Sequence, residues 1–444
     1  MSNQRRVVVM GAGGRDFHDF AMVLRDDPAV HVVAFTAAQI PGIANRTLPA
    51  LLAGDRYPDG IPILDERDLS ALIAHERIDE VVLAYSDLRH VDVMHKASLV
   101  LAAGADFRLL GPASTSLHST KPVIAVCADR TGAGKSPTSR FVCRVLRRAG
   151  LRVALVRHPM PYGDLTAMRV QRFASQADID DANPTIEERE EYELPVEMGV
   201  VTWAGVDYEA ILERVEQEAD VIVWDGGNND FPFFAPDLMI TVVDPLRAGD
   251  EMLYHPGETC IRLADVVVIN KVDSADTAAL ARVRAIIRTC NPRAEIVETA
   301  SPVTIDDGPS LTGSRVLVVE DGPTLTHGGM TFGAGAVAAR HVGAIPVDPR
   351  PYAVGSIASV LGAYPKIDSV LPALGYSAEQ LVELQRTIEA VPCDAVLAAT
   401  PIRLSHVVTT SHPIRQVRYD IEERPMGALA SLIEKFLARA TKHA

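Results

Sequence analysis

The stretch that decides the fold is Lys121-Pro-Val-Ile-Ala-Val-Cys-Ala-Asp-Arg-Thr-Gly-Ala-Gly-Lys-Ser136. Val123 to Cys127 is apolar throughout, as a strand buried on both faces of a parallel sheet must be. The run breaks into a glycine turn, and apolar residues then return at helical spacing at Phe141, Val142, Val145 and Leu146. Strand, glycine turn, Lys-Ser and helix together make the setting of a phosphate-binding loop. Backbone N–H groups wrap the phosphates there, and the helix N-terminus adds its positive end. Arg130, Thr131, Gly132, Ala133, Gly134, Lys135, Ser136 and Pro137 are therefore the expected nucleotide-binding residues. Lys135 would reach the β- and γ-phosphates, and the Ser136 hydroxyl would hold Mg²⁺. One departure stands out: the pattern G-x-x-x-x-G-K-S asks for glycine where the chain has Asp129. The plain alternative is a turn that only joins strand to helix.

Downstream, Val221-Ile-Val-Trp-Asp225 is four apolar residues ending in a carboxylate, followed by Gly226-Gly-Asn-Asn-Asp230. A carboxylate at a strand end is placed to bind Mg²⁺ or its waters beside the γ-phosphate, and Asn228, Asn229 and Asp230 would orient an attacking group. Val266-Val-Val-Ile269 leads into Asn270-Lys-Val-Asp273, an N-K-x-D sequence in which Asn270, Lys271 and Asp273 would meet a purine ring. Arg152-Val-Ala-Leu-Val156 precedes the stiff loop Arg157-His-Pro-Met-Pro-Tyr-Gly-Asp164, whose Arg157 and His158 would meet transferring phosphate and whose Asp164 would reach the metal. The acidic stretch Asp178 to Glu193 reads as a solvated helical flap.

Ahead of the loop, strands Arg6–Met10, Val30–Phe35, Glu80–Tyr85 and Phe107–Leu110 alternate with helical segments, the signature of a doubly wound parallel sheet. Gly11-Ala-Gly-Gly-Arg-Asp-Phe-His18 sits where a dinucleotide fingerprint would, but Asp16 replaces its third glycine and no acidic residue closes the second strand. An anionic ligand on the turn is the better expectation. Gly13, Gly14, Arg15, His18, Arg46, Ser86 and Asp87, all on loops after strands, are the expected substrate-binding rim.

Beyond the N-K-x-D strand, Arg315–Val319, Asp394–Ala398 and Gln416–Tyr419 read as strands and Met426–Ala440 as a closing helix. Asp321 and His327 mark a possible site edge. The whole is α/β: an N-terminal Rossmann-like doubly wound parallel sheet (1–119), a P-loop NTPase domain (120–320), and a C-terminal α/β extension (321–444) that completes or packs on it.

Composition narrows the class. The 444 residues are 48% apolar and 23% charged, ordinary for a globular chain. A formal net charge of −15 argues against nucleic-acid binding, which wants a basic face. No apolar run reaches the roughly eighteen residues of a membrane span, and Met1-Ser-Asn-Gln-Arg-Arg6 runs straight into a strand. Cys127, Cys143, Cys260, Cys290 and Cys393 show no metal-ligand spacing and fit reduced thiols of a cytoplasmic protein.

Met10-Gly-Ala-Gly-Gly-Arg-Asp-Phe-His-Asp-Phe20, Ala34-Phe-Thr-Ala-Ala-Gln-Ile-Pro-Gly-Ile-Ala44, Tyr85-Ser-Asp87, Met94-His-Lys-Ala-Ser98, the loop from Arg157 to Asp164, Trp224-Asp-Gly-Gly-Asn-Asn-Asp230 and Asn270-Lys-Val-Asp273 carry a resemblance over nearly the whole chain. It is to the cyclic 2,3-diphosphoglycerate synthetase-like family, SIMIBI-type P-loop NTPases often labelled predicted GTPases. The resemblance implies ATP-driven closure of 2,3-diphosphoglycerate into an intramolecular phosphoanhydride, with release of ADP and phosphate. Lys135, Arg157, His158 and Mg²⁺ on Ser136, Asp164 and Asp225 would then handle the nucleotide phosphates. The first-domain rim would hold the small anionic substrate, and a homodimer or higher homo-oligomer is the expected assembly. A GTPase switch or metallochaperone-type assembly protein is the alternative, with GTP in place of ATP.

Overall fold

The computed structural model describes residues 4–38, 46–158, 163–226, 230–326, 328–374, 378–400 and 403–440. Asn228, Asn229 and His327 lie outside them, as does most of the stretch 34–44 after its strand. The described residues are mixed α/β, built on three large sheets and one two-stranded ribbon.

The first sheet runs in the order Arg46–Leu48, Ile61–Asp65, Val30–Ala37, Arg5–Met10, Glu80–Leu83, Asp106–Leu109. All neighbours are parallel except the edge strand Arg46–Leu48. The apolar run Val7 to Val9 is wholly buried at its centre. From there the chain winds first to one side and then to the other, so the turn Gly11–Gly14 falls at the switch point, outside the strand carboxyl ends. The short strands at 46 and 61 carry no sustained alternation in the sequence, and only pairing with Val30–Ala37 defines them.

The second sheet has nine strands: Gln171–Phe173, Val201–Ala204, Val153–Arg157, Val221–Asp225, Val123–Ala128, Leu238–Val243, Val266–Ile269, Glu295–Ala300 and Glu422–Arg424. Its interior is parallel and both edge pairs are antiparallel. Val123–Ala128 is fully buried between the strands ending at Asp225 and Val243, which explains its unbroken apolar run.

The third sheet lies beyond Ala300 and runs Val303–Ile305, Ile414–Tyr419, Ala395–Ala399, Arg315–Asp321, Ile345–Pro346, with Leu371–Ala373 also paired to Arg315–Asp321. It has its own core, in which Val316 to Val319 and Val396 to Ala398 are completely buried. The division at 320 thus falls inside a strand, and the extension builds a sheet rather than only finishing its neighbour. It also does the latter: Glu422–Arg424 pairs with Glu295–Ala300, and Leu429 and Ile433 of the last helix, Ala428–Ala440, pack into the core beneath the phosphate-loop helix, Lys135–Arg148. Among the described residues no helix is long and apolar enough to cross a membrane.

Candidate nucleotide site

The strand Val123–Ala128 delivers the chain to a tight loop, and the helix Lys135–Arg148 starts from it. Gly134 has φ 112, and a Cβ there would lie 2.1 Å from Asn270 Nδ2, so both backbone and space demand glycine. Asn270 Nδ2 donates to the Ala133 carbonyl at 2.9 Å, and Lys271 Nζ reaches the Gly132 carbonyl at 2.6 Å and Asp244 at 2.7 Å. The N-K-x-D sequence therefore braces the loop from behind, while Asp273 accepts from the Ser301 amide at 3.0 Å. Asp129, the residue in the missing glycine's place, is buried, and its own N–H donates to the Val242 carbonyl at 3.0 Å. Burial pushes its carboxyl well up, more than the facing Arg247 pulls it down.

In front of the loop opens a cavity of about 240 Å³. Lys135 Nζ lies 2.5 Å from one oxygen of Asp225, and Arg157 Nη1 holds the other. Arg157 Nη2 is 2.7 Å from Glu191. Burial alone would raise the Asp225 carboxyl, but the Arg157 and Lys135 cations overcome it and hold the group below its ordinary value. Two cations thus stand against two carboxylates in a nearly dry site, where a polyanion would find the cations preassembled. Glu191 was not legible as part of this. The acidic stretch Asp178 to Glu193 is not a solvated flap throughout: on the helix Ile186–Glu197, Tyr192 is buried and Glu191 lines the cavity.

Ser136 and Asp225 line the same cavity. Among the described residues no three His, Cys, Asp or Glu side chains cluster as a metal cage. That donor set fits Mg²⁺, a hard ion that takes one or two protein oxygens and completes its shell with phosphates and water. Asp164 is not part of the set: it is exposed and its carboxylate accepts from the Thr166 amide at 2.8 Å, capping a turn. His158 is also outside the cavity lining. It is buried against Gly14, 4.0 Å from Asp230, and burial lowers its imidazole to about 3, so it stands neutral.

The cavity's far wall comes from the third sheet, at the carboxyl ends of its strands. Glu320, Asp321, Thr324, Phe332 and Tyr419 stand there. Glu320 accepts from the amides of Gly333, Gly335 and Ala336 at 2.8–3.2 Å, which locks the loop that follows. Burial nevertheless lifts its carboxyl to about 7.

The rim residues of the first domain are elsewhere, and the described part of that domain contributes nothing to the lining. The amides of Gly13 and Gly14 donate to the Asp16 carboxylate at 2.8 and 3.0 Å, and Phe17 N joins them at 2.8 Å. The anion expected on that turn is the chain's own. Arg15 is buried over the Phe231 ring, 4.6 Å from its centre, and beside Asp19 at 3.5 Å. His18 Nε2 bonds the Thr115 carbonyl at 2.6 Å and its ring stacks on Phe233, with burial lowering it to about 4. Arg46 donates to the Gly163 carbonyl, and the Ser86 hydroxyl pulls the Asp230 carboxyl down against its burial. Asp87 accepts from Arg130 Nε at 2.9 Å and from Thr131 N and Oγ1 at 3.2 and 2.7 Å. Arg15, His18 and Arg46 meet Phe231, Phe233 and Gly163 of the second domain, and Asp87 alone among these groups fastens the first domain to the phosphate loop, helped by a two-stranded ribbon between Leu88–Arg89 and Tyr254–His255.

Fold and loop define a P-loop nucleotide-binding protein, and the CobW/HypB/UreG nucleotide-binding domain family matches residues 219–298. The chain belongs to the family of arginine synthetase ArcE of Thermococcus kodakarensis, to which it is 52% identical over 440 residues, 99% of this chain and 98% of that one. Cyclic 2,3-diphosphoglycerate synthetase of Pyrococcus furiosus is 34% identical over 77 residues, 17% of this chain and 18% of that one. The likeness to that enzyme is thus a short stretch and not the nearly full-length one expected. Among solved structures, LpxK of Aquifex aeolicus in complex with ATP is 12% identical, with a TM-score of 0.43 over 83% of this chain and 99% of that one.

Proposed function

We propose that this chain is a nucleotide-driven synthetase that makes a guanidine, with arginine as its product. What carries the reading is the name of the full-length relative at 52% identity, joined to a cavity that places Lys135, Arg157 and Asp225 before a phosphate loop. Arginine's guanidine carbon must gain a nitrogen where its ureido analogue, citrulline, has oxygen. Direct displacement fails because that oxygen is a poor leaving group. Transfer of the γ-phosphoryl group to the ureido oxygen releases the nucleoside diphosphate. A nitrogen nucleophile then attacks the carbon, the C–O bond breaks, and phosphate leaves with the oxygen.

The chain's part is positioning and charge. Lys135 turns from Asp225 to the incoming phosphates, and Arg157 faces the transferring group. Mg²⁺, held by Ser136 and Asp225, would supply neutralisation of the phosphate charge. Glu191 keeps Arg157 aimed into the cavity.

Incubation with Mg·ATP or Mg·GTP, citrulline and ammonium tests the reading: arginine and phosphate should appear in equal amounts, and nucleotide cleavage should need citrulline. Cleavage indifferent to citrulline would leave a nucleotide hydrolase. The second reading, ring closure of 2,3-diphosphoglycerate, is favoured by the short matches to its synthetases. Against it, Asp16, Asp19 and Asp230 crowd the buried Arg15 of the rim that would take that polyanion. The same assay with 2,3-diphosphoglycerate separates the two.

A further inference from the structure

Arg140 was singled out by no motif, yet it lines the cavity. It stands four residues after Ser136 on the helix Lys135–Arg148, hence on the same face. Side chains on a helix lean toward its N-terminus, so the guanidinium points back toward the phosphate end of the site. Its titratable surroundings are the phenol of Tyr419 and the charged Asp420, Asp225 and Arg144. The carboxylates among them are engaged: Asp420 pairs with Arg144 at 2.8 Å, and Asp225 holds Lys135 and Arg157. Among the described residues no hydrogen bond or ion pair engages the Arg140 guanidinium. Burial weighs on its charge more than these neighbours compensate, so its pKa falls below the ordinary arginine value. A partly buried guanidinium whose neighbours offset its burial only in part gains when an oxyanion arrives to meet it.

On the arginine-forming reading two oxyanions would enter this cavity, a nucleotide phosphate and the one that the acceptor carries. Arg140 sits at the seam with the third sheet, near Tyr419 and Asp225. Lys271 and Ser301, whose amide binds Asp273, line the cavity too, and the N-K-x-D expectation would put a purine ring on their side. We propose that Arg140 clamps the α-carboxylate of an amino-acid acceptor, and that the acceptor enters along the carboxyl edge of the third sheet rather than from the first domain. The fork of a guanidinium matches a carboxylate with two parallel bonds. Phe332 and Met330, on the same wall, would flank the acceptor's aliphatic chain. This rests on the arginine-forming reading, because it supposes an amino acid.

Calorimetric titration of the full chain in Mg·ADP, with L-arginine and with agmatine, which lacks the carboxylate, tests it. Wild type should hold L-arginine about 10- to 100-fold more tightly than agmatine, the worth of a charge-assisted pair. Arg140→Gln should lose that preference, leaving agmatine and Mg·ADP affinities within about twofold, which also certifies the fold; Arg140→Lys should recover part of it. An Arg140→Gln chain that keeps the preference overturns the clamp. Loss of Mg·ADP affinity with arginine binding intact would reassign the guanidinium to a nucleotide phosphate and overturn it as well. A wild type that binds neither arginine nor agmatine would sink the arginine-forming reading beneath it, and the clamp too.

Discussion

Asp230 is buried between Ser86 and His158, and loss of water around it lifts its carboxyl to about 7, against the pull of Arg15. An unfolded aspartate titrates near 3.8. Between those values the native state holds a proton that the unfolded chain has released, so stability falls as pH rises from about 4 to about 7 and stays lowered above that. Asp230→Asn is neutral at every pH. Its melting temperature should exceed the wild type's most clearly above pH 7, and the gap should close toward pH 4 in scanning calorimetry. A gap independent of pH would show that Asp230 does not titrate in that window. At this scale, Lys135, Ser136 and Asp225 were legible because each lies inside a local pattern whose chemistry needs that residue type at that spacing. Glu191 and Arg140 were not. An acidic residue in an acidic stretch and an arginine in a basic helix look like solvated charges until tertiary packing turns them inward.

Whole elements repeat the contrast. The phosphate loop and its flanking strand are visible in sequence because their φ angles and burial are locally dictated. The turn at Gly13 and Gly14 is equally visible as a turn, but what fills it is not. The sequence pattern shows donors at a helix start; only the fold shows Asp16 already filling them. Asp16→Ala should therefore strand those amides and cost about 2–4 kcal/mol in chemical denaturation, while Mg·ADP affinity stays as in wild type. If instead stability were untouched and phosphate affinity fell, the turn would be a binding site after all. Strands 46–48 and 61–65 escaped notice for a related reason: they are short and register only against Val30–Ala37.

Across the whole molecule three sheets meet around one loop. Asp87 ties the first domain to Thr131 and Arg130, and the loop after Glu320 presses on the same segment, with Arg130 and Arg247 both donating to the Gly328 carbonyl. Periodicity could announce three α/β units but not which strand edge would face the cavity, because that depends on contacts between residues hundreds of positions apart. The central claim is that the cavity between the phosphate loop and the third sheet takes a magnesium nucleotide through Lys135. Titration calorimetry of wild type and Lys135→Met with Mg·ADP and Mg·GDP tests it most directly. One nucleotide should bind per wild-type chain, and Lys135→Met, with an unchanged melting temperature in the absence of nucleotide, should bind at least about 100-fold more weakly. Equal affinity in the two chains, or no binding to the wild type, would contradict the account.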